Sequence, residues 1–308
     1  MPCLKGILPS RYLRHHCLLV SAVHLLLQDK ISRQDLTDAT YYLGGYCVQF
    51  AVLYTKQKVF FNVHLLLHLG KCVFMSGPIF CFSAFSSESA NGRLVQLVKG
   101  SRGVLSQIAA KYSKCKMIPQ LLKMYHVGES TLSFCDDLLC YRSTQSARTF
   151  ETVTVLGSSR PVPFQDGEEY ALRISDHRIT TSSYERMIIN RIIYHARCYR
   201  RKGKKSDSSV IKLNCGSYGA IHRIIDPANY NGPGEPKPIV LLRKINIENE
   251  AVASHPAGAK ATHIKQCSLI VYGDYIVITT DNIVGSAILM NCIDRSYVAS
   301  FPNMYEKD

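Results

Sequence analysis

The sequence contains no Cys-x-x-Cys pair and no Asn-x-Ser/Thr sequon. Its twelve cysteines are scattered through 308 residues. A chain of this length can bury a core without covalent staples, so the scatter argues against a secreted disulfide scaffold and for a reducing compartment, nucleus or cytosol. A Gly-x-Ser-x-Gly elbow is also missing, which leaves Ser130, Ser133, Asp136 and Asp137 without a hydrolase motif. Nor is there a Gly-x-x-x-x-Gly-Lys-Ser/Thr loop to cradle nucleotide phosphates. The apolar run 17–27 mimics a signal peptide, but it contains His24, ends in Gln28-Asp29-Lys30 and has no small-residue cleavage site. A bilayer needs about 20 apolar residues, so the run reads as a buried helix. Acidic residues are scarce: 23 Asp and Glu stand against 37 Lys and Arg, a net charge of +14. Such an excess favours polyanions such as nucleic acid, although a basic protein separated from an acidic neighbouring region would show it too.

The texture of the chain changes once. Up to about residue 125 apolar residues recur at intervals of three and four. Leu18, Leu19, Ala22, Val23, Leu25 and Leu26 mark a first helix. Leu36, Ala39, Leu43, Cys47, Phe50 and Tyr54 mark a second, started by a capping box of Ser32 and Asp35 and weakened by Gly44-Gly45. A third helix is expected over 62–74, a fourth from about Ser87 and a fifth beyond Gly100. Past Gly128, short β-branched and aromatic runs alternate with Gly, Pro, Asn and Asp turns. Strands are expected at 152–156, 169–174, 192–199, 209–214, 218–225, 239–245, 263–271, 275–279, 287–291 and 297–300, with one helix over 183–190. The expected class is α+β: a helical domain over 1–128, a linker over 129–150, and a β-rich domain resembling a small barrel or sandwich over 151–308.

Three groups of residues carry potential chemistry. His64, His68 and Cys72 lie on one helical stripe. Eight residues advance about 12 Å, so at most two of them reach one zinc. A metal pair at His64 and His68 competes with a core helix whose imidazoles hydrogen-bond to their surroundings. The run Arg197-Cys198-Tyr199-Arg200-Arg201-Lys202-Gly203-Lys204-Lys205 is the densest cluster of charge. Arg200, Arg201, Lys202, Lys204 and Lys205 suit phosphates, with Tyr199 stacking, or a nuclear localisation signal, or a solvated loop. Lys99, Arg102 and Lys111 form a second, looser basic surface. Glu88 is a lone acid in the first turn of a helix, where the helix dipole favours it in any protein.

Longer phrases add a resemblance. Asn-Val-His-Leu-Leu-Leu-His-Leu at 62–69 is followed by Gly77–Leu94, with Phe85-Ser86-Ser87-Glu88-Ser89-Ala90-Asn91-Gly92 at its centre. Ahead of these stand Leu8-Pro9-Ser10-Arg11-Tyr12 and Ile31-Ser32, and behind them Lys99-Gly100-Ser101-Arg102-Gly103. The second half contributes Gly216-Ser217-Tyr218-Gly219-Ala220-Ile221 and the ending Tyr297-Val298-Ala299-Ser300-Phe301-Pro302-Asn303-Met304-Tyr305-Glu306. Taken together, nearly the whole chain resembles the region at the end of, or just behind, the nuclease core of En/Spm-type (CACTA) transposases and the host proteins derived from them. That resemblance implies that Glu88 stands where the last of three metal-binding carboxylates belongs, those carboxylates holding two divalent ions. The family phrase has an aromatic-Pro-aromatic before the acid; here Ser86 and Ser87 replace the proline and the second aromatic. Upstream acids are limited to Asp29, Asp35 and Asp38, on or beside predicted helices, so the catalytic set is incomplete.

The implied object is a transposase-derived fragment without catalytic activity on its own. It needs no cofactor in isolation, and a divalent metal only when an upstream core completes the site. Its expected partners are DNA, chromatin proteins or other transposase subunits, with no membrane, and its expected location is the nucleus or else the cytoplasm. The rival expectation is a stand-alone protein-interaction module with an SH3-like or chromatin-reader-like barrel.

Overall fold

The computed structural model describes residues 1–138, 147–161, 163–174, 182–199, 208–226, 237–249, 251–292 and 295–303. Two compact units emerge from its contacts: Met1–Phe80 with Ser146–Asp308, and Cys81–Gln145.

In the first unit, α1 (Ser10–Leu26) and α2 (Arg33–Tyr54) form a helical hairpin, followed by α3 (Phe61–Leu65) and α4 (Leu69–Ser76). Leu26 and Ala22 of α1, Ala39 and Leu43 of α2 and Val73 of α4 close one apolar core. The capping box is present: Asp35 N–H donates to Ser32 Oγ at 3.1 Å, and Ser32 N–H donates to Asp35 Oδ2 at 2.9 Å. Gly70 permits α4 to meet α2, since a Cβ there would overlap Thr40 Oγ1. The helix expected over 62–74 is interrupted by a 3-10 turn at Leu66–His68. Of this stretch only Gly70 and Val73 are buried, and so short an apolar contact enforces no continuous helix.

The second unit contains α5 (Phe85–Gln96), α6 (Val104–Met124) and α7 (Glu129–Leu138). The division therefore departs from the expected cut. The first four helices group with the β-rich region, and α7 fills the first half of the expected linker. Cys17 explains the grouping, because it is buried on α1 with Val252, Ala261, Ile264 and Tyr297 of the C-terminal half.

Among the described residues, the rest of the first unit comprises α8 (Asp166–Ile174) and twelve strands: β1 (Ala147–Phe150), β2 (Val153–Leu156), β3 (Arg160–Pro161), β4 (Ser182–Tyr184), β5 (Arg186–Ile189), β6 (Ile192–His195), β7 (Val210–Leu213), β8 (Tyr218–Ile225), β9 (Ile239–Asn249), β10 (Ile264–Thr279), β11 (Ile283–Asn291) and β12 (Ser296–Ser300). One sheet runs β3-β4-β8-β7-β11-β12-β10-β9, and a further β8–β9 pairing closes its last six strands into an antiparallel barrel. Closure removes the open edges that a flat sheet would expose. Val210, Ala220, Ile245, Cys267, Ala287 and Val298, one from each barrel strand, form a buried cluster. Gly219 sits at the closing seam, where a Cβ would come within 3.2 Å of Arg243 O and Leu242 Cδ1. The second sheet, β1-β2-β5-β6, packs on the barrel through Val153, Val155, Met187, Ile189 and Tyr194 against Ile221, Val240 and Leu242. The α+β class holds, with helices leading and a β-rich region following.

Two local expectations are overturned. Residues 183–190 form β4 and β5 instead of a helix, because Tyr184, Met187 and Ile189 are buried in the sheet contact. Residues 169–174 are helical, not a strand. Gln165 N–H donates to Glu168 Oε2 at 2.8 Å, a side-chain cap that starts α8 and turns Ala171 and Leu172 onto the barrel.

Candidate functional site

Strand pairing brings four arginines to one place. β3 pairs with β4, setting Arg160 opposite Ser183; β4 pairs with β8; and β8 pairs with β9, setting Ala220 opposite Arg243. The segment after β6 is pinned to β8 by Arg197 N–H donating to Ile221 O at 2.9 Å. Between these elements lies a pocket of about 480 Å³ walled by Arg160, Arg197, Arg223 and Arg243 together with Ser183, Glu185, Cys198 and His222. Its volume falls in the range typical of small-ligand sites, about 300–1,000 Å³.

Two of the lining residues, His222 and Arg223, are held by Glu168, whose side chain is fully buried on α8. It accepts from Arg223 Nε at 2.9 Å and from His222 Nε2 at 2.5 Å. Consecutive residues of a strand normally point to opposite faces. A register shift between Ile221 and Arg223 breaks that alternation and lets both side chains reach one carboxylate. Burial alone would raise the Glu168 pKa, but the Gln165 N–H, the Arg223 guanidinium and His222 outweigh it and hold the pKa below the ordinary value. His222 is also lowered: burial, with Arg243 and Arg223 nearby, outweighs the attraction of Glu168. At neutral pH the ring is therefore neutral, with Nε2 as the donor to the carboxylate. Arg223 further donates to Pro163 O at 3.2 Å and lies over the Phe164 ring at 5.3 Å. Arg243 donates to Tyr275 Oη and lies over that ring at 4.7 Å.

The pocket is graded. Arg223 and Arg243 are partly buried, while Arg160 and Arg197 are exposed. Arg160 donates to Glu185 Oε1 at 3.3 Å across an exposed pair, worth about 0–1 kcal/mol. Among the described residues, four guanidiniums gather here with the carboxylates Glu168 and Glu185. The arrangement suits an anion with several acceptor oxygens, because guanidinium forks match such groups.

The residues singled out in the sequence fall elsewhere. Arg200, Arg201, Lys202, Lys204 and Lys205 lie outside the described residues, but Arg197 and Cys198, which open the same run, line the pocket. Lys99 and Arg102 are exposed in the α5–α6 loop of the second unit, their backbone tied by Gln107. Glu88 lies in the first turn of α5, exposed. Gly92 of the same phrase has open space where a Cβ would stand. Of the upstream acids, Asp35 serves the α2 cap and Asp38 accepts from Gln34 Nε2 at 2.8 Å. His64 and His68 are exposed, with their Nε2 atoms 3.3 Å apart. Two nitrogens about 2.0–2.1 Å from one tetrahedral zinc have a similar spacing, so this pair could furnish two ligands of four. Among the described residues no group of three or more His, Cys, Asp or Glu is placed to hold a metal ion, and no single helix is long and apolar enough to cross a membrane.

Compared with family models, with curated proteins and with solved structures, the chain matches none.

Proposed function

We propose that this chain is a nucleic-acid-binding, non-catalytic part of a transposase-derived protein, acting in the nucleus, and that its barrel holds the polyanion through the arginine pocket. The observation that supports this is the convergence of Arg160, Arg197, Arg223 and Arg243 on one pocket of a chain carrying a net charge of +14. Two of the four are fixed in place by Glu168, Pro163, Phe164 and Tyr275 before any ligand arrives, which reduces the ordering cost of binding. The resemblance to En/Spm-type transposases supplies the context, and Glu88, with no acidic partner in its phrase, carries no chemistry by itself.

Anisotropy of a labelled single-stranded DNA over a salt series tests the proposal. Four phosphate contacts on a single strand give a slope of log affinity on log salt of about −3, and Arg160→Ala should make it shallower by about 0.7. A flat salt response removes the nucleic-acid role. Displacement of DNA by an acidic peptide at comparable concentration favours a protein-interaction module instead. Manganese-dependent nicking that is lost in Glu88→Gln would overturn the non-catalytic assignment.

A further inference from the structure

We propose that Cys3 and Cys292 close a reversible disulfide when the protein meets hydrogen peroxide, latching the N-terminal segment to the β11–β12 hairpin. The latch is independent of the nucleic-acid function proposed above.

Along the chain the two cysteines are 289 residues apart, yet the fold sets their sulfurs 4.0 Å from each other, near van der Waals contact. Neither is in a disulfide. Each sulfur is positioned from its own side. Cys3 lies in a 3-10 turn, Pro2–Leu4, whose Pro2 is buried, and Lys5 just after it donates to Gln266 Oε1 on β10 at 3.5 Å. Cys292 directly follows β11, and its N–H donates to Arg295 O at 2.8 Å across the hairpin. Met1, Val20 of α1 and Cys292 pack on one buried cluster that includes Ile264 and Tyr297. A disulfide holds its sulfurs about 2.05 Å apart, so closure asks for a movement of about 2 Å. The exposed turn at Cys3 supplies that movement more readily than the half-buried Cys292 on its hairpin.

Exposure also sets the order of the chemistry. The thiolate of exposed Cys3 attacks the peroxide: the O–O bond breaks, one oxygen stays on sulfur as a sulfenic acid, and the other leaves as water. The Cys292 sulfur then attacks the Cys3 sulfur, the S–S bond forms, the S–O bond breaks and a second water leaves. Two thiols thus pass two electrons and two protons to one hydrogen peroxide. Glutathione or a dithiol reopens the bond by exchange. In a reducing compartment such a pair stays open until an oxidant arrives. Lys5 shows what the bond would secure. Burial, and then Arg295 of the hairpin, hold the Lys5 pKa below its ordinary value, so like charges oppose the contact between segment and hairpin.

The experiment takes the full chain, fully reduced, and adds a few equivalents of hydrogen peroxide. After alkylation of the remaining thiols, digestion without reductant should release a linked pair of peptides containing Cys3 and Cys292. Thermal unfolding of the oxidised protein should rise by roughly 5–10 °C, because a cross-link that closes so long a loop constrains the unfolded chain. Millimolar glutathione and dithiothreitol should each reverse both changes. Cys3→Ser, at an exposed position, and Cys292→Ser should each abolish the linked peptides and the thermal shift. Cys3 still open to alkylation after peroxide, or linked to another cysteine or to a second copy of the chain, overturns the pairing. A Cys3–Cys292 bond that leaves the unfolding temperature unchanged shows that nothing is latched. One that glutathione cannot reopen is a permanent staple and refutes the reversible device.

Discussion

Acid should loosen α1 from the barrel. His24 on α1 and His263, just ahead of β10, stack face to face with ring centroids 3.8 Å apart. Burial, with Lys212 nearby, holds His24 at about 4, and burial, with His24 itself, holds His263 at about 3. His263 also has a buried Nδ1 without a hydrogen-bond partner. Both folded-state values lie below the ordinary histidine value of about 6.5, so the unfolded chain takes up protons first. The stabilisation is complete above pH of about 6.5 and is lost as pH falls through the interval down to the folded values. One pKa unit corresponds to about 1.4 kcal/mol, so at pH of about 4 the ceiling for the two rings together is about 7 kcal/mol. Both rings keep some contact with water, and two stacked imidazoles do not accept two protons independently, which halves the figure to about 3 kcal/mol. Against a typical stability of about 5–15 kcal/mol this is a large fraction. Thermal unfolding should drop by roughly 6–12 °C between neutral pH and pH of about 4. Amide exchange in α1 should rise more than exchange in β8. His263→Phe keeps a flat ring against His24 while removing one titration and the orphan Nδ1. It should be slightly more stable at neutral pH and lose about half of the acid sensitivity. An unchanged pH slope in this variant would show that the stacked pair is not the acid-labile joint.

Other substitutions probe the architecture of the pocket and its supports. Glu168→Gln should cost about 2–3 kcal/mol by unfolding midpoint, since it strips a buried partner from Arg223 and His222 while both keep some exposure. NMR titration should show the His222 pKa falling further below the ordinary value in that variant, because Glu168 is the group that raises it. Gly219→Val should cost about 1–3 kcal/mol by crowding Leu242 and the Arg243 carbonyl at the barrel seam. Gly70→Ala should destabilise the helical core, and Thr40→Ala in the same chain should restore part of the loss; a double-mutant cycle should give a coupling above about 0.5 kcal/mol.

Where the fold is set by local chemistry, it is readable in the residues. Ser32 and Asp35 announce the start of α2 because the cap is made by those two side chains alone. β8 is legible from Tyr218 to Ile225 because its apolar run is bounded by Gly216, whose φ of 80° a β-carbon disfavours. The errors fall where distant contacts decide. In 183–190, Glu185, Arg186 and Met187 are sound helix formers, yet the sheet contact around Met187 prevails. In 169–174 the mixture of Glu169, Tyr170 and Leu172 suits a strand, until the Gln165–Glu168 cap and the fit of Leu172 on the barrel select a helix.

The pocket was hidden for the same reason, and its one visible trace is instructive. Arg197 stands out as the front of a basic run, because charge density along the chain is a local property. His222, Arg223 and Arg243 carry no such mark, since short polar pairs inside apolar strands look like solvent-facing positions. In a regular strand His222 and Arg223 would face opposite ways, and no pattern of two residues announces the bulge that turns both onto Glu168. Charges in the interior of barrel strands were nevertheless a usable signal. Between Leu242 and Ile245, both buried, Lys244 is exposed while Arg243 is partly buried and needs a partner or a ligand; Arg243 has Tyr275 and also lines the pocket. Glu88 teaches the converse. Its phrase is conspicuous along the chain, but in space it yields an exposed first-turn acid beside a glycine with open room around it. A site is a property of converging side chains, and in this protein the pairing of β3, β4, β8 and β9 supplies that convergence for arginine, not for acid.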